Sequence, residues 1–266
     1  MVLDNKIFHF TIGRFNCLAI NDDDHGNCNC LLIDTGQHKV LLETGTGDGM
    51  TPPGVLLKRL QAAGVSPALI DIVIVSHADF DHIGGAVDAH GNLAFPQARF
   101  FLSAAEWAFW SSAAQRLQPN ALFDEATCQL GNHLPKQRLP YLREKVTLVP
   151  ADAEVVPGIR TVAVPGHTPG MIAIVIASAD EQLQFIGDVI YDIDLSEDGQ
   201  IVVNPEFHAV VDFDPAQARV TRDWLFAQAA RNRTLLMAYH TPFPGLGYVE
   251  QDAGGWRWVP FAAVGS

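Results

Sequence analysis

Asp71-Ile-Val-Ile-Val-Ser76 is an unbroken apolar run, and directly behind it His77-Ala-Asp79-Phe-Asp81-His82 places four potential ligands in six residues. A strand without polar alternation is one covered on both faces, so this chain must build layers on either side of a sheet. Upstream, Thr51-Pro-Pro opens a helix that is expected to run to about Ala63, with proline in its first turn. Helix, covered strand and polar loop in that order indicate α/β organisation with a site at the carboxyl edge of the sheet.

The rest of the chain extends this pattern. Residues 6–12, 14–20, 28–34 and 39–43 read as short strands in hairpin order. Asp22, Asp23 and Asp24 do not have calcium-loop spacing and are expected at a solvated hairpin tip. Gly45, Gly47 and Gly49 form a glycine-rich loop without the Lys-Ser/Thr of a phosphate loop, so it argues little for phosphate binding. Ser103 and Glu106 have capping-box spacing for a helix over 104–115, and Asp214-Pro215 starts another to about Arg231. Further strands are expected at 146–149, 159–164, 171–177, 182–187 and 234–238, with a Trp256/Trp258 alternation closing the chain. The strand-rich, helix-punctuated pattern occurs twice, which allows two similar halves. No long linker interrupts it, and residues 1–266 read as a single domain.

Composition narrows the function. Of 266 residues 48% are hydrophobic and 18% charged, enough for a sizeable core. Thirty acidic against 17 basic residues give a net charge of −13, which disfavours nucleic acid and anionic membrane surfaces as partners. The N-terminal MVLDNKIFHFTIG shows no secretory signal, and no apolar stretch approaches the roughly 18 residues of a membrane span. Four cysteines make no disulfide framework; Cys28 and Cys30, one residue apart, would share one face of an extended segment as small buried groups. A soluble cytoplasmic protein acting on a small molecule is the expectation. His9, His25, His38, His90 and His133 are read as surface or satisfied core residues.

Three later residues join the cluster at 77–82. His167 lies in Pro165-Gly-His-Thr-Pro-Gly170, Asp188 follows the apolar QFIG, and His240 follows LLMAY. Seven imidazoles and carboxylates, each just past an expected strand, point to metal binding. Their order resembles the metallo-β-lactamase superfamily: His-x-His-x-Asp-His, a Gly-His-Thr turn, Gly-Asp at a strand end and a late His, here from about residue 28 to 240.

That resemblance implies a four-layer αββα sandwich, α/β in class, with one or two divalent ions at one edge, two where Asp79 ligates and one where it does not. His77, Asp79 and His167 would hold one ion, Asp81, His82 and His240 the other, with Asp188 bridging. Zinc comes first, and manganese or iron gains ground where Asp79 replaces the family's histidine. The nearest branch in look comprises N-acyl-homoserine lactonases and organophosphate-hydrolase-like enzymes. It implies attack of a metal-bound hydroxide on an ester or lactone, with Tyr191 on the substrate carbonyl and Asp81 passing a proton to the leaving group. A phosphotriester hydrolase is the alternative on the same site, and a homodimer is compatible with the family. Loops over 103–145 and 189–213 would shape the pocket, with Trp107, Trp110, Phe207 and His208 read as core. Two departures stand out. Asp79 adds a third carboxylate and leaves a two-ion centre formally neutral, and Glu43 replaces the family's aspartate in Leu-Leu-Glu-Thr-Gly. They motivate a second reading, a binding module with a degraded centre. A serine hydrolase is set aside, because no G-x-S-x-G occurs.

Overall fold

Gly13 sits at φ +56° between Ile7–Ile12 (β1) and Phe15–Asn21 (β2), and a Cβ there would meet the Ser178 carbonyl at 2.0 Å. Only glycine tolerates both constraints, so the first hairpin turns there and sets Ile7 opposite Ile20. Asn29–Asp34 (β3) and Lys39–Leu42 (β4) continue the antiparallel meander. Ile72–Ile74 (β5), Arg99–Ser103 (β6) and Val146–Val149 (β7) then add in parallel, which requires crossover helices. These are Leu56–Ala62 (α1), Phe80–Ile83 (α2), Ala104–Trp110 (α3) and Glu125–Leu142 (α4).

This is a computed structural model, and it describes residues 6–24, 26–113, 116–120, 122–253 and 255–261. A second sheet repeats the plan with Glu154–Val156 (β8), Ile159–Ala163 (β9), Ile172–Ser178 (β10) and Glu181–Phe185 (β11). Leu235–Met237 (β12) joins it in parallel, after Pro205–Val211 (α5) and Pro215–Asn232 (α6) have crossed over. Leu246–Asp252 (β13) and Gly255–Pro260 (β14) complete it antiparallel. Each sheet has seven strands among the described residues. Leu31, Ile33 and Leu41 of the first share one core with Ile174, Ile176 and Phe185 of the second. Leu225 and Phe226 of α6 cover the other face against Ile186 and Leu236. The fold is a four-layer αββα sandwich, as the family resemblance implied.

The departures from expectation have physical causes. The helix expected from Thr51 begins at Leu56. Asp22 holds residues 46–56 as a loop, its carboxylate accepting from Thr46 N at 2.7 Å and Leu56 N at 2.6 Å. Asp22 is therefore buried, not a solvated hairpin tip. The stretch expected as a pocket loop contains the 18-residue α4, whose internal Pro135 and Pro140 obscure its periodicity. His9, His90 and His133 are exposed and His38 half-buried, as expected of surface residues; His25 and Gln115 lie outside the described residues. No described helix is long and apolar enough to cross a membrane.

Burial pushes the Asp22 carboxyl up to about 6 from an ordinary 3.8, against the pull of the Thr46, Leu56 and Val55 amides. The native chain thus keeps this proton to higher pH than the unfolded chain, and the associated stability is lost as pH rises through about 6. Relative to Asp22→Asn, the metal-free natural chain should gain about 2 kcal/mol in unfolding free energy as pH falls from about 7 to about 4. Urea titrations of both chains across that range check the sign.

Candidate metal centre

Four strands deliver the seven residues to one edge. His77 follows β5, and α2 carries Asp81 and His82; His167 follows β9, Asp188 sits in the turn after β11, and His240 follows β12. Gly187, at φ +52°, lets the chain turn there with Ser76 Oγ only 3.0 Å from where a Cβ would lie. Asp188, 3% exposed, is the hub. Its Oδ2 lies 3.7 Å from His77 Nε2 and 3.4 Å from both His167 Nε2 and His240 Nε2, while Oδ1 lies 3.2 Å from His82 Nε2. Ligand atoms of His77, His167 and Asp188 fall within 4.8 Å of one another, as do those of His82, Asp188 and His240.

Whether these residues suit a cation is decided by what their buried atoms lack. His77 Nε2, His82 Nε2, Asp188 Oδ1 and Asp79 Oδ1 are buried without a hydrogen-bond partner. Such atoms are costly unless something binds them, and imidazole nitrogens and carboxylate oxygens suit a divalent ion. The opposite ring nitrogens are engaged elsewhere: His77 Nδ1 with Ser76 Oγ at 2.9 Å, His167 Nδ1 with Asp212 Oδ1 at 3.1 Å, and His240 Nδ1 with the Asn27 carbonyl at 2.8 Å. Acceptors such as the Asp212 carboxylate and the Asn27 carbonyl keep the proton on Nδ1 and aim the Nε2 lone pair inward. The residues fit a metal.

The electrostatics follow from burial and crowding. Burial pushes the Asp188 carboxyl up, but His240, His82 and His77 outweigh it and hold the group well below the usual carboxylate range. Burial, with His82 beside it, drives His77 far below an ordinary histidine. In His82 and His240 burial is overcome by neighbouring carboxylates, Asp188 foremost, and both imidazoles go well above it.

Supporting residues explain how the loops stay in place. Glu106 is read from sequence only as a capping-box residue, and Ser103 Oγ does accept from its amide at 3.0 Å. Its carboxylate goes elsewhere. Oε1 accepts from Ala78 N at 3.0 Å and Trp110 Nε1 at 2.8 Å, and Oε2 from Thr168 Oγ1 at 2.6 Å and Gly170 N at 3.1 Å. One buried carboxylate thus ties the loop of His77 to the loop of His167. Glu43, at φ +67°, accepts from Ser76 N at 3.0 Å and places Oε2 3.3 Å from His82 Nδ1, a charge contact rather than an aligned hydrogen bond. His208, expected as plain core, links Asp194 at 2.9 Å to Asp212 at 2.8 Å, and Asp212 reaches His167.

Two residues near the cluster carried no sequence signal of this role. Arg116, 6% exposed, places Nη2 3.1 Å from Asp79 Oδ2 and 3.0 Å from His167 Nε2. The expected neutral centre thus has an additional positive charge beside it. Burial raises the Asp79 carboxyl, but Arg116, His167 and His77 hold it well below the usual range. Cys28 is buried as expected, yet it lies with Asp81 and His240 in a third group of ligand atoms within 4.8 Å. It is no mere apolar filler. Asp79 occupies the N-cap position of α2 without capping it, its carboxylate turned toward Arg116 and His167.

A family model of the metallo-β-lactamase superfamily matches residues 23–240. The chain belongs to the metallo-β-lactamase superfamily. Within this superfamily it is 26% identical over 212 residues to a probable metallo-hydrolase of Mycobacterium tuberculosis, covering 70% of this chain and 63% of that protein. An N-acyl homoserine lactonase of Bacillus thuringiensis is 25% identical over 161 residues, 53% of this chain and 54% of its own length. The chain therefore spans less than two thirds of either curated relative. The structure of AidC, a dizinc quorum-quenching lactonase with a product bound, superposes with a TM-score of 0.83 at 26% identity, over 97% of this chain and 98% of AidC.

Glu106→Gln tests the clamp. Each Glu106 oxygen accepts from two donors, so a glutamine amide must turn its NH2 toward two of them whichever way it flips. The variant should lose about 2–4 kcal/mol of stability by denaturant titration.

Proposed function

We propose that this metallo-hydrolase opens a lactone or a simple ester, with residues 1–266 working as one domain. The observation that carries the reading is the convergence of unpartnered buried donor atoms around Asp188, beside the Tyr191 hydroxyl. The lactonase relatives support the substrate class. His77 and His167 with Asp188 form one position, His82 and His240 with Asp188 the other; Asp81 borders the second and Asp79 the first. Four imidazoles favour zinc, and Asp79 and Asp81 add oxygen donors that suit manganese or iron. Divalent ions held there supply Lewis acidity and an activated water.

The chain's own residues do the rest. The Tyr191 hydroxyl donates to Asp188 Oδ2 at 2.8 Å and lies 3.3 Å from His167 Nδ1. Burial first, then Asp188, pushes its pKa well above an ordinary tyrosine, so the proton is retained for donation. When a substrate carbonyl enters, this proton turns from Asp188 to the developing oxyanion. His240 stacks on the Tyr191 ring at 5.0 Å and 10°, and Phe207 meets that ring edge-on at 4.9 Å, giving an apolar surface for an acyl group beside the hydroxyl. Asp81, 3.1 Å from His240 Nε2 and partly exposed, is placed to take the proton released by the attacking water and hand it to the leaving alkoxide.

The metal-loaded chain is to be assayed on an N-acyl homoserine lactone, an aryl ester and a phosphotriester. The highest kcat/KM is expected on the lactone. Tyr191→Phe should lower kcat about a hundredfold with a smaller effect on KM, and Asp81→Ala should abolish turnover. Cleavage of the phosphotriester alone would transfer the assignment to that substrate class. Activity indifferent to Asp81→Ala would show that the cluster is not the seat of hydrolysis.

A further inference from the structure

His167 Nε2 is contested: Arg116 Nη2 and the Asp79 carboxylate both reach it. With its proton on Nδ1, toward Asp212 Oδ1 at 3.1 Å, the ring has a single in-plane lone pair at Nε2, which also lies 3.2 Å from Asp79 Oδ2. Arg116 Nη2 lies 3.0 Å from Nε2. One lone pair can accept from a guanidinium or coordinate an ion, and it cannot do both. The same Nη2 meets Asp79 Oδ2 at 3.1 Å and donates to the Val211 carbonyl. Arg116 Nε and Nη1 are buried without partners, so this cation has been brought out of water for the contacts at Nη2. A guanidinium does not shed its charge, and a dication beside it is repelled.

The other position faces no such competitor. His82, Asp188 and His240 converge there, with Asp81 Oδ2 3.1 Å from His240 Nε2, and Cys28 groups with Asp81 and His240. Among the described residues the ion-pair partners of Asp81 and Asp188 are histidines, with no arginine or lysine.

We propose that Arg116 makes the two metal positions unequal: it is a resident cation at the position of His77 and His167, matched to Asp79, and an ion enters there only when the guanidinium leaves His167 Nε2. The position of His82, Asp188 and His240 fills first and holds tightly. Asp79 and Arg116 are then one device, because a histidine at 79 would leave the buried guanidinium without its anion. The inference rests on the cluster being a metal centre and is independent of the substrate.

The test is zinc binding by the full chain, stripped of metal and titrated calorimetrically, with metal content measured by mass spectrometry after gel filtration. The natural chain should retain about one zinc, the second binding at least about tenfold more weakly. Arg116→Met should retain about two, and so should the Asp79→His/Arg116→Met pair, whereas Asp79→His alone should stay at about one. Circular dichroism checks that each variant is folded. If Arg116→Met does not fold, the two-class titration of the natural chain and the retention by Asp79→His still decide. Two zinc ions held equally by the natural chain, or a folded Arg116→Met that remains at one, overturns the proposal. One tight zinc without lactone turnover would uphold it and remove the substrate reading; two equal zinc ions with lactone turnover would do the reverse.

Discussion

A buried carboxylate is tolerable only when its surroundings are arranged for it, and Asp188 dictates that arrangement here. At 3% exposure it stands within 3.7 Å of four imidazole nitrogens and accepts from the Tyr191 hydroxyl. Those partners come from the ends of β5, β9 and β12 and from the turn after β11 itself. The two sheets must therefore meet with these ends at one edge. The parallel pairing of β11 with β12 brings His240 beside Asp188, and β5, parallel to β4, presents His77 and His82 from the opposite sheet. Sheet packing and site assembly are thus one event.

A chain with 30 acidic residues uses several of them as internal fasteners. Glu106 joins the 78 and 168–170 segments, Glu43 joins Ser76 to the His82 ring, and Asp22 secures the loop over 46–56. Asp194 accepts from Tyr191 N at 3.2 Å and Asn204 N at 3.0 Å while its Oδ2 also faces His208. The line from Asp194 through His208 and Asp212 to His167 therefore orients an imidazole from two helices away. Each fastener is a carboxylate that takes backbone amides, imidazoles or, at Glu106, an indole and a hydroxyl. Their sum fixes loop geometry at the cost of carboxylates held out of water.

How much of this was legible in the sequence depends on the range of the interaction. The strands and the ligand-bearing loops were readable, because apolar runs and the residues at their ends are local facts. The long α4 was hidden by Pro135 and Pro140, which contradict helix locally, while Leu117 and Phe80 pack close against the same helix at Gly131. The second role of Glu106 was invisible for the opposite reason: its local signal was correct and complete, and the capping reading left nothing to explain. Arg116 reaches His167 across 51 residues and Cys28 meets His240 across more than two hundred, distances that no periodicity encodes. His208 and Asp212 did carry a signal, i,i+4 spacing at the end of a helix, but spacing alone does not name the third partner.

The departures from the family pattern read differently once their neighbours are known. Taken singly, Asp79 and Glu43 suggest erosion of a metal centre. An eroding site would leave altered residues without partners, since the selection that maintains paired geometry has gone. Here Glu43 spans from Ser76 N to the His82 ring, and Asp79 meets a buried arginine that pairs with no other carboxylate among the described residues. Each substitution comes with a compensating contact, and the atoms aimed at a cation remain in place around Asp188. Compensation at both positions supports an adjusted centre over an abandoned one. The adjustment is electrostatic: one imidazole fewer, one carboxylate more and one guanidinium added return the charge that the extra carboxylate removed.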